Sequence, residues 1–247
     1  MRKFGLIGYP LSHSFSKKFF TEKFKEERIT NCEYELYPIE KVEQFVQLWS
    51  DNPELCGINV TIPYKVQILP FLDEMDEAST EIGAVNCILI GRKLGEQCIK
   101  GYNTDAYGFE ESLKPLLEAH HRKALVFGDG GAAKAIKYVL NKLNIPFLVV
   151  TRKPSENSIL YDAINEELLK EHAILINTTP LGTSPNTDSC PDIPYHLLSD
   201  KHIGYDLVYN PEETLFLKQV KAKGGKTKNG LEMLHLQAIR SWEIWNS

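Results

Sequence analysis

Gly128, Gly130 and Ala133 stand at G-x-G-x-x-A spacing in Leu125-Val126-Phe127-Gly128-Asp129-Gly130-Gly131-Ala132-Ala133-Lys134-Ala135, an apolar run that breaks into glycines and resumes in small helix formers. The pattern reads as strand, tight turn and helix. Its glycines permit a sharp turn and close approach of backbone to a pyrophosphate, and the N–H groups of Gly131 and Ala132 at the helix start favour an anion. About twenty residues on, where NAD-specific proteins usually carry an acid for the ribose 2′-hydroxyl, the apolar strand Pro146-Phe147-Leu148-Val149-Val150 ends in Thr151-Arg152-Lys153. Two cations suit a 2′-phosphate, and Arg152 can grip one in bidentate fashion. Turn and cations together point to NADP; the plain alternative for the cations is a solvated basic turn.

Other stretches carry further candidate chemistry. Ser14 and Ser16 begin a helix, so their hydroxyls either cap it, a contribution of roughly 0.5–2 kcal/mol, or hold a small carboxylate with help from the helix N-terminus. Both readings stand. Thr61 and Lys65 lie just past the strand Gly57-Ile58-Asn59-Val60, and Thr178 follows Ile174-Leu175-Ile176-Asn177; ligands of open parallel sheets bind beyond such strand ends. Thr178 and the small polar residues after it either form a plain polar loop or floor a nicotinamide ring. His13 alone is assigned no chemistry, and no metal is implied.

These residues are positioned by a chain of 247 residues, enough for one large domain or two small ones. A hydrophobic content of 43% with 25% charged residues is an ordinary globular balance, and no apolar run approaches the roughly 20 residues of a membrane span. The N-terminus lacks a signal-peptide pattern, so the cytoplasm is the expected location. A net charge of −5 and a pI near 5.8 argue against a broad nucleic-acid face. Cys32, Cys56, Cys87, Cys98 and Cys190 are odd in number and form no C-x-x-C pair, which argues against a disulfide framework and a zinc knuckle.

The alternation of patterns predicts β-α-β-α-β at the start: a strand over Lys3–Gly8, a helix to about Arg28, a strand over Glu33–Tyr37, a helix over Val42–Trp49 and a strand from Gly57 stopped by Pro63. An acidic helix over Asp73–Ile82 and a hairpin turning at Gly91–Gly95 follow. Gly101-Tyr102-Asn103-Thr104-Asp105 reads as a junction into a helix reaching about His121. A second series places strands at 124–128, 146–151 and 173–177 with helices at 131–143 and 161–171. The chain continues through an irregular segment at 184–195, a candidate for mobility, a strand over Gly204–Tyr209, a helix over Glu212–Lys223 and a terminal amphipathic helix from Gly230.

Taken together, Gly57-Ile58-Asn59-Val60-Thr61-Ile62-Pro63-Tyr64-Lys65, Gly83-Ala84-Val85-Asn86, Asn103-Thr104-Asp105, the Gly128 turn, Asn177-Thr178-Thr179 and Gly230-Leu231-Glu232-Met233-Leu234 with Gln237 resemble the shikimate dehydrogenase family, colinearly over almost the whole chain. The resemblance implies an α/β fold of two domains. An N-terminal substrate domain with a mainly parallel sheet, 1–102, is completed by the terminal helix 230–247; a Rossmann-like NADP domain spans 103–229, with a cleft between them that closes by a hinge. It implies reversible reduction of 3-dehydroshikimate to shikimate by hydride transfer, with small molecules as partners and a monomer or homodimer as the working form.

Residue by residue, the resemblance makes Lys65 and Asp105 the catalytic pair. It gives the ring carboxylate to Ser14 and Ser16 helped by Tyr209, the ring hydroxyls to Thr61, Asn86 and Gln237, and the cofactor to Gly128, Gly130, Gly131, Ala132, Thr151, Arg152, Thr178 and Gly230. Hydride delivery to a ketone leaves an alkoxide that must gain a proton, which an ammonium can stabilise and supply; Asp105 then positions that ammonium and bonds a substrate hydroxyl. Without the resemblance the pair reads as a surface salt bridge worth about 0–1 kcal/mol. The chain departs from the family pattern at Lys17, Phe20, Thr21, Asp129, Thr151 and Thr183, and Asp129 places a carboxylate beside the expected pyrophosphate. Two other readings stay open: a quinate/shikimate dehydrogenase using NAD or NADP, and a non-catalytic NADP- or metabolite-binding regulator.

Overall fold

Strand β1 (Arg2–Gly8) buries Phe4, Leu6 and Ile7. The computed structural model of the chain describes residues 1–11, 14–93, 96–153 and 156–247, so His13 and the tip of the expected Gly91–Gly95 turn lie outside the described residues. The chain forms two compact units, 1–104 with 237–247, and 105–236.

In the first unit β1 is followed by α1 (Phe15–Glu26), β2 (Cys32–Pro38), α2 (Gln44–Asp51), β3 (Leu55–Val60), β4 (Glu74–Met75), α3 (Glu77–Ile82), β5 (Cys87–Lys93) and β6 (Glu96–Tyr102). The sheet order is β2-β1-β3-β5-β6-β4. Pairs β1–β2, β1–β3 and β4–β6 are parallel, whereas the β5–β6 hairpin inserts antiparallel against β3. The acidic helix expected from Asp73 starts only at Glu77. Glu74 and Met75 pair with β6 instead, and Asp76, extended as a helix cap must be, accepts the Ser79 N–H at 2.9 Å.

One face of this sheet is packed by aromatic rings. Phe20 is fully buried and stacks on Tyr34 at 4.6 Å, and Trp245 from the terminal helix stacks on Phe4 at 4.8 Å. The Trp245 indole donates to the Ile88 carbonyl at 2.9 Å and lies over Gly57, where an added Cβ would fall 2.2 Å from its Nε1. Each such ring pair is worth about 0.5–1.5 kcal/mol beyond its burial. Three of the departures from the family pattern are thus local packing: Phe20 fills this core, Thr21 donates to the Lys17 carbonyl at 2.7 Å, and Lys17 pairs with Glu35 at 2.7 Å.

The second unit takes α4 (Thr104–Leu113), β7 (Ala124–Phe127), α5 (Gly131–Lys142), β8 (Phe147–Thr151), β9 (Ser158–Leu160), α6 (Glu166–Glu171), β10 (Ile174–Asn177), β11 (Ile203–Asp206), α7 (Leu215–Lys221), β12 (Lys226–Lys228) and the start of α8 (Leu231–Trp245), within which the division at 236/237 falls. Every strand pair is parallel and the order is β12-β11-β10-β7-β8-β9. Strands β7, β10 and β11 are buried throughout, as a sheet covered on both faces requires. The chain steps outward from β7 to β8 and β9, then returns to β10 on the other side, so the switch point lies between β7 and β10.

Several helices are shorter than periodicity predicts. Helix α4 stops at Leu113 because Pro115 lies in the 3-10 turn Lys114–Leu116 and cannot donate onward. The helix expected from Tyr161 starts at Glu166, after β9 has joined the sheet edge and Asn165 has capped Leu168 N. That expected from Glu212 starts at Leu215, capped by Thr214.

Candidate active site

In the first unit the predicted residues gather at one end of the sheet. Ser14 and Ser16 follow the carboxyl end of β1, Thr61 and Lys65 that of β3, and Asn86 precedes β5, whose first residue Cys87 pairs with both Asn59 and Tyr102. Ser14 caps α1, its hydroxyl accepting Lys17 N at 3.3 Å. Ser16 lies near the phenol of Tyr34, whose pKa burial drives well up while the serine hydroxyl opposes the rise. Thr61 N donates to the Ile7 carbonyl at 2.9 Å, and the Lys65 carbonyl accepts Val85 N at 2.8 Å, tying the two loops together.

Behind these residues lies a buried polar network that sequence reasoning missed. The Tyr34 hydroxyl donates to Asn59 Oδ1 at 2.9 Å, and Asn59 Nδ2 donates to Ser241 Oγ at 3.0 Å. Asn86 Nδ2 donates to Thr104 Oγ1 at 3.0 Å while its Oδ1 accepts the Thr104 N–H at 2.6 Å. Ser241 donates to the Gln237 carbonyl at 2.9 Å. The Asn86 side chain is therefore held from both ends by Thr104 at the start of α4, which costs little reorganisation when a ligand arrives. Cys87 lies against this network; burial pushes its thiol up to about 12, so it is inert. All five cysteines are free.

In the second unit Gly128, Gly130, Thr151, Arg152 and Thr178 line one open groove of about 1000 Å³ at the switch point, together with Asp129, Lys153, Tyr161, Cys190 and Asp192. Gly128 adopts φ +97° with Thr179 Cγ2 only 2.8 Å from where a Cβ would stand; a left-handed, crowded position of this kind admits glycine alone. Thr178 donates to the Phe127 carbonyl at 2.8 Å and to the Gly128 carbonyl at 3.2 Å, so its hydroxyl buttresses the turn. Thr151 likewise spends its hydroxyl on the next turn, donating to the Lys153 carbonyl at 2.7 Å and meeting Ser158 Oγ at 2.8 Å. Arg152 and Lys153 remain exposed at the rim.

The groove fits a dinucleotide phosphate. No side chain caps α5, its first turn carries no acid, and the space a side chain would take at Gly130 and Gly131 is open, a backbone cradle for an anion. The Asp129 carboxylate is held by Lys137, 2.5 Å away on α5. That pairing offsets the negative charge beside the turn. It was missed in the sequence although a helical side chain leans toward the N-terminus, which brings Lys137 back toward residue 129.

Gly131 and Ala132 begin α5 and are not among the residues lining the groove. Gly230 serves packing: an added Cβ would fall 2.1 Å from the Leu207 carbonyl oxygen. Tyr209 stays exposed after β11, and Asp105 stands in the first turn of α4. Tyr161, its ring parallel to Phe127 at 6.1 Å, has its phenol raised by burial against the lowering effect of Arg152. Tyr161 and Asp192 were missed because neither carries a local motif.

An all-parallel six-stranded sheet, a glycine turn at its switch point and cations after its second strand define a dinucleotide-binding α/β oxidoreductase. The model of the shikimate dehydrogenase substrate binding domain matches residues 6–88, and a shikimate dehydrogenase (NADP(+)) of Clostridium beijerinckii is 39% identical over 255 residues, covering 99% of this chain and 92% of that protein. The chain belongs to the shikimate dehydrogenase family. A second relative, the shikimate dehydrogenase (NADP(+)) of Methanosphaera stadtmanae, is 35% identical over 98% of this chain and 90% of its own. The crystal structure of shikimate 5-dehydrogenase from Thermus thermophilus in complex with NADP(H) and shikimate superposes with a TM-score of 0.85 at 31% identity, covering 99% of this chain and 93% of that one.

Proposed function

We propose that this chain is an NADP-dependent shikimate dehydrogenase that reversibly reduces 3-dehydroshikimate to shikimate. The observation that carries the reading is the groove of the second unit, where open glycine backbone meets Arg152 and Lys153. Bound there, NADPH supplies the hydride. Gly128, Gly130, Gly131 and Ala132 hold the pyrophosphate through backbone, Arg152 with Lys153 holds the 2′-phosphate, Thr178 shapes the turn, and Thr151 sets the loop carrying the cations. Gly230 contributes by holding α8 close to Leu207.

Residues 1–102 and the terminal helix serve as the substrate domain, and 103–229 as the cofactor domain. Ser14, Ser16 and Tyr209 take the ring carboxylate; Thr61, Asn86 and Gln237 take the ring hydroxyls. The Lys65 ammonium faces the oxygen that becomes an alkoxide, stabilises it and gives it a proton, while Asp105 orients that ammonium and bonds the neighbouring hydroxyl. The enzyme works in the cytoplasm, where free thiols such as its five persist, as a monomer or homodimer.

The test is NADPH oxidation with 3-dehydroshikimate, with NADH in parallel, Lys65→Ala as control, and quinate oxidation as a second assay. NADPH-selective turnover lost in the variant supports substrate, cofactor and lysine together. Equal use of NADH removes the role given to Arg152, quinate oxidation at a comparable rate favours the broader quinate/shikimate activity, and ligand binding without turnover favours a regulator.

A further inference from the structure

The last residues of the neighbouring strands β10 and β11 face each other in register, Asn177 opposite Asp206, and both side chains are completely buried. Asp206 accepts three hydrogen bonds: from Asn177 Nδ2 at 2.9 Å and Val208 N at 3.0 Å on Oδ1, and from Thr214 Oγ1 at 2.6 Å on Oδ2. A carboxylate is acceptor-only, so it fixes which end of the Asn177 amide faces it. The Asn177 Oδ1 thus points the other way and accepts both Thr179 N at 3.0 Å and Thr179 Oγ1 at 2.6 Å. The Thr179 hydroxyl in turn accepts Leu181 N at 3.3 Å. Thr178, Thr179, Pro180 and Leu181 are one wall of the groove, and Thr178 holds the Gly128 turn opposite.

We infer that Asp206 is a positioning residue for the cofactor groove: by orienting the Asn177 amide it sets the 178–181 wall against which the dinucleotide binds, and through Val208 N it sets the start of the loop that leads to Tyr209. A buried carboxylate is costly to keep in a strand otherwise made of Ile203, Gly204 and Tyr205. It is retained here with its contacts spent on Asn177 at the carboxyl end of β10, on Val208 just past β11 and on Thr214, the cap of α7. The inference rests on the NADP reading above.

The test compares NADPH dissociation constants, from fluorescence titration, for the wild-type chain, Asp206→Leu, Asp206→Asn, Asn177→Ala and the double variant Asp206→Leu/Asn177→Ala, each confirmed folded by its thermal melt. Asp206→Leu leaves Asn177 Nδ2 only its long bond to the Leu181 carbonyl at 3.4 Å and Val208 N no acceptor, and its Kd is expected to rise at least about tenfold. Asp206→Asn keeps an oxygen on that side, and the Thr214 hydroxyl can turn to accept from the new amide nitrogen, so its Kd should stay within about threefold. Asn177→Ala should weaken NADPH as Asp206→Leu does, and the double variant no further than the weaker single, because both act through one contact. In Asn177→Ala, which leaves the Val208 contact in place, the KM for 3-dehydroshikimate at saturating NADPH should move less than about twofold.

A purely structural Asp206 would lower the melting temperature and leave Kd unchanged; an unchanged Kd in folded Asp206→Leu, or in Asn177→Ala if the former does not fold, overturns the inference. Additive losses in the double variant overturn it also. Failure of the wild-type chain to bind NADPH would overturn the functional reading itself, and this inference with it.

Discussion

Lys137 Nζ lies 2.5 Å from Asp129 Oδ1, so the acid between the two glycines of the phosphate turn is paired from the helix that the turn begins. Both groups are partly exposed, and the pair matters less for stability than for the sign of the field at the turn. Lys137→Ala should weaken NADPH binding about three- to tenfold at low salt, less as ionic strength rises. Asp129→Asn in that background should restore affinity. Titrations at two salt concentrations check both; unchanged binding in Lys137→Ala would show that the Asp129 charge is not felt at the cofactor.

Arg152 stands exposed at the rim of the same groove. Its replacement by alanine should cost NADP roughly 1.5–3 kcal/mol, the scale of a charged hydrogen-bonding contact, and leave NAD nearly unaffected. Parallel titrations with the two cofactors decide it, since equal losses would assign Arg152 no part in reading the 2′-phosphate.

Lys65→Ala should reduce kcat by at least about 10²-fold with the Kd for NADPH unchanged, as loss of a general acid predicts. Steady-state rates and a cofactor titration on the same preparation separate the two quantities. A near-normal kcat would take Lys65 out of the mechanism.

Burial raises the Asp206 carboxyl from 3.8 to about 6, against the opposing pull of Thr214, Val208 N and Asn177. A folded-state value above the unfolded one means that the folded chain binds the proton more tightly. The resulting stabilisation is full below about pH 4 and is lost as pH rises through about 6. Urea denaturation should therefore show wild type gaining on Asp206→Asn as pH falls from about 7.5 to about 4.5, by on the order of 3 kcal/mol at most. A difference between the two that is independent of pH would contradict the shift.

Gly230→Ala sets a methyl group 2.1 Å from the Leu207 carbonyl oxygen, a backbone atom that cannot swing aside. Overpacking of this kind typically costs about 1–3 kcal/mol, and a thermal melt should show it. An unaltered melt would mean that the start of α8 shifts freely.

The glycine turn, the buried strands of both units and the cations after β8 were legible because each is a local signal: glycine where the backbone turns sharply, continuous apolar runs where a strand is covered on both faces, charge where a strand ends. The serine at position 14 was equally legible as a cap, and the structure shows it capping α1. Helix starts were less so. Asp76, Asn165 and Thr214 cap helices that begin later than periodicity suggests: before Asp76 the chain pairs into the sheet edge as β4, and before Asn165 residues 161–163 form a 3-10 turn.

What lay beyond the sequence were partnerships between distant residues. Asn59 and Ser241 bond across 182 positions, and Asn177 meets Asp206 across 29; nothing near either residue names its partner. The amino-acid order determined where the chain turns and which faces are apolar, since backbone preference and hydrophobic period act between neighbours. Only the tertiary structure decided which buried polar atoms meet, because a hydrogen bond is satisfied within about 3 Å of space regardless of separation along the chain.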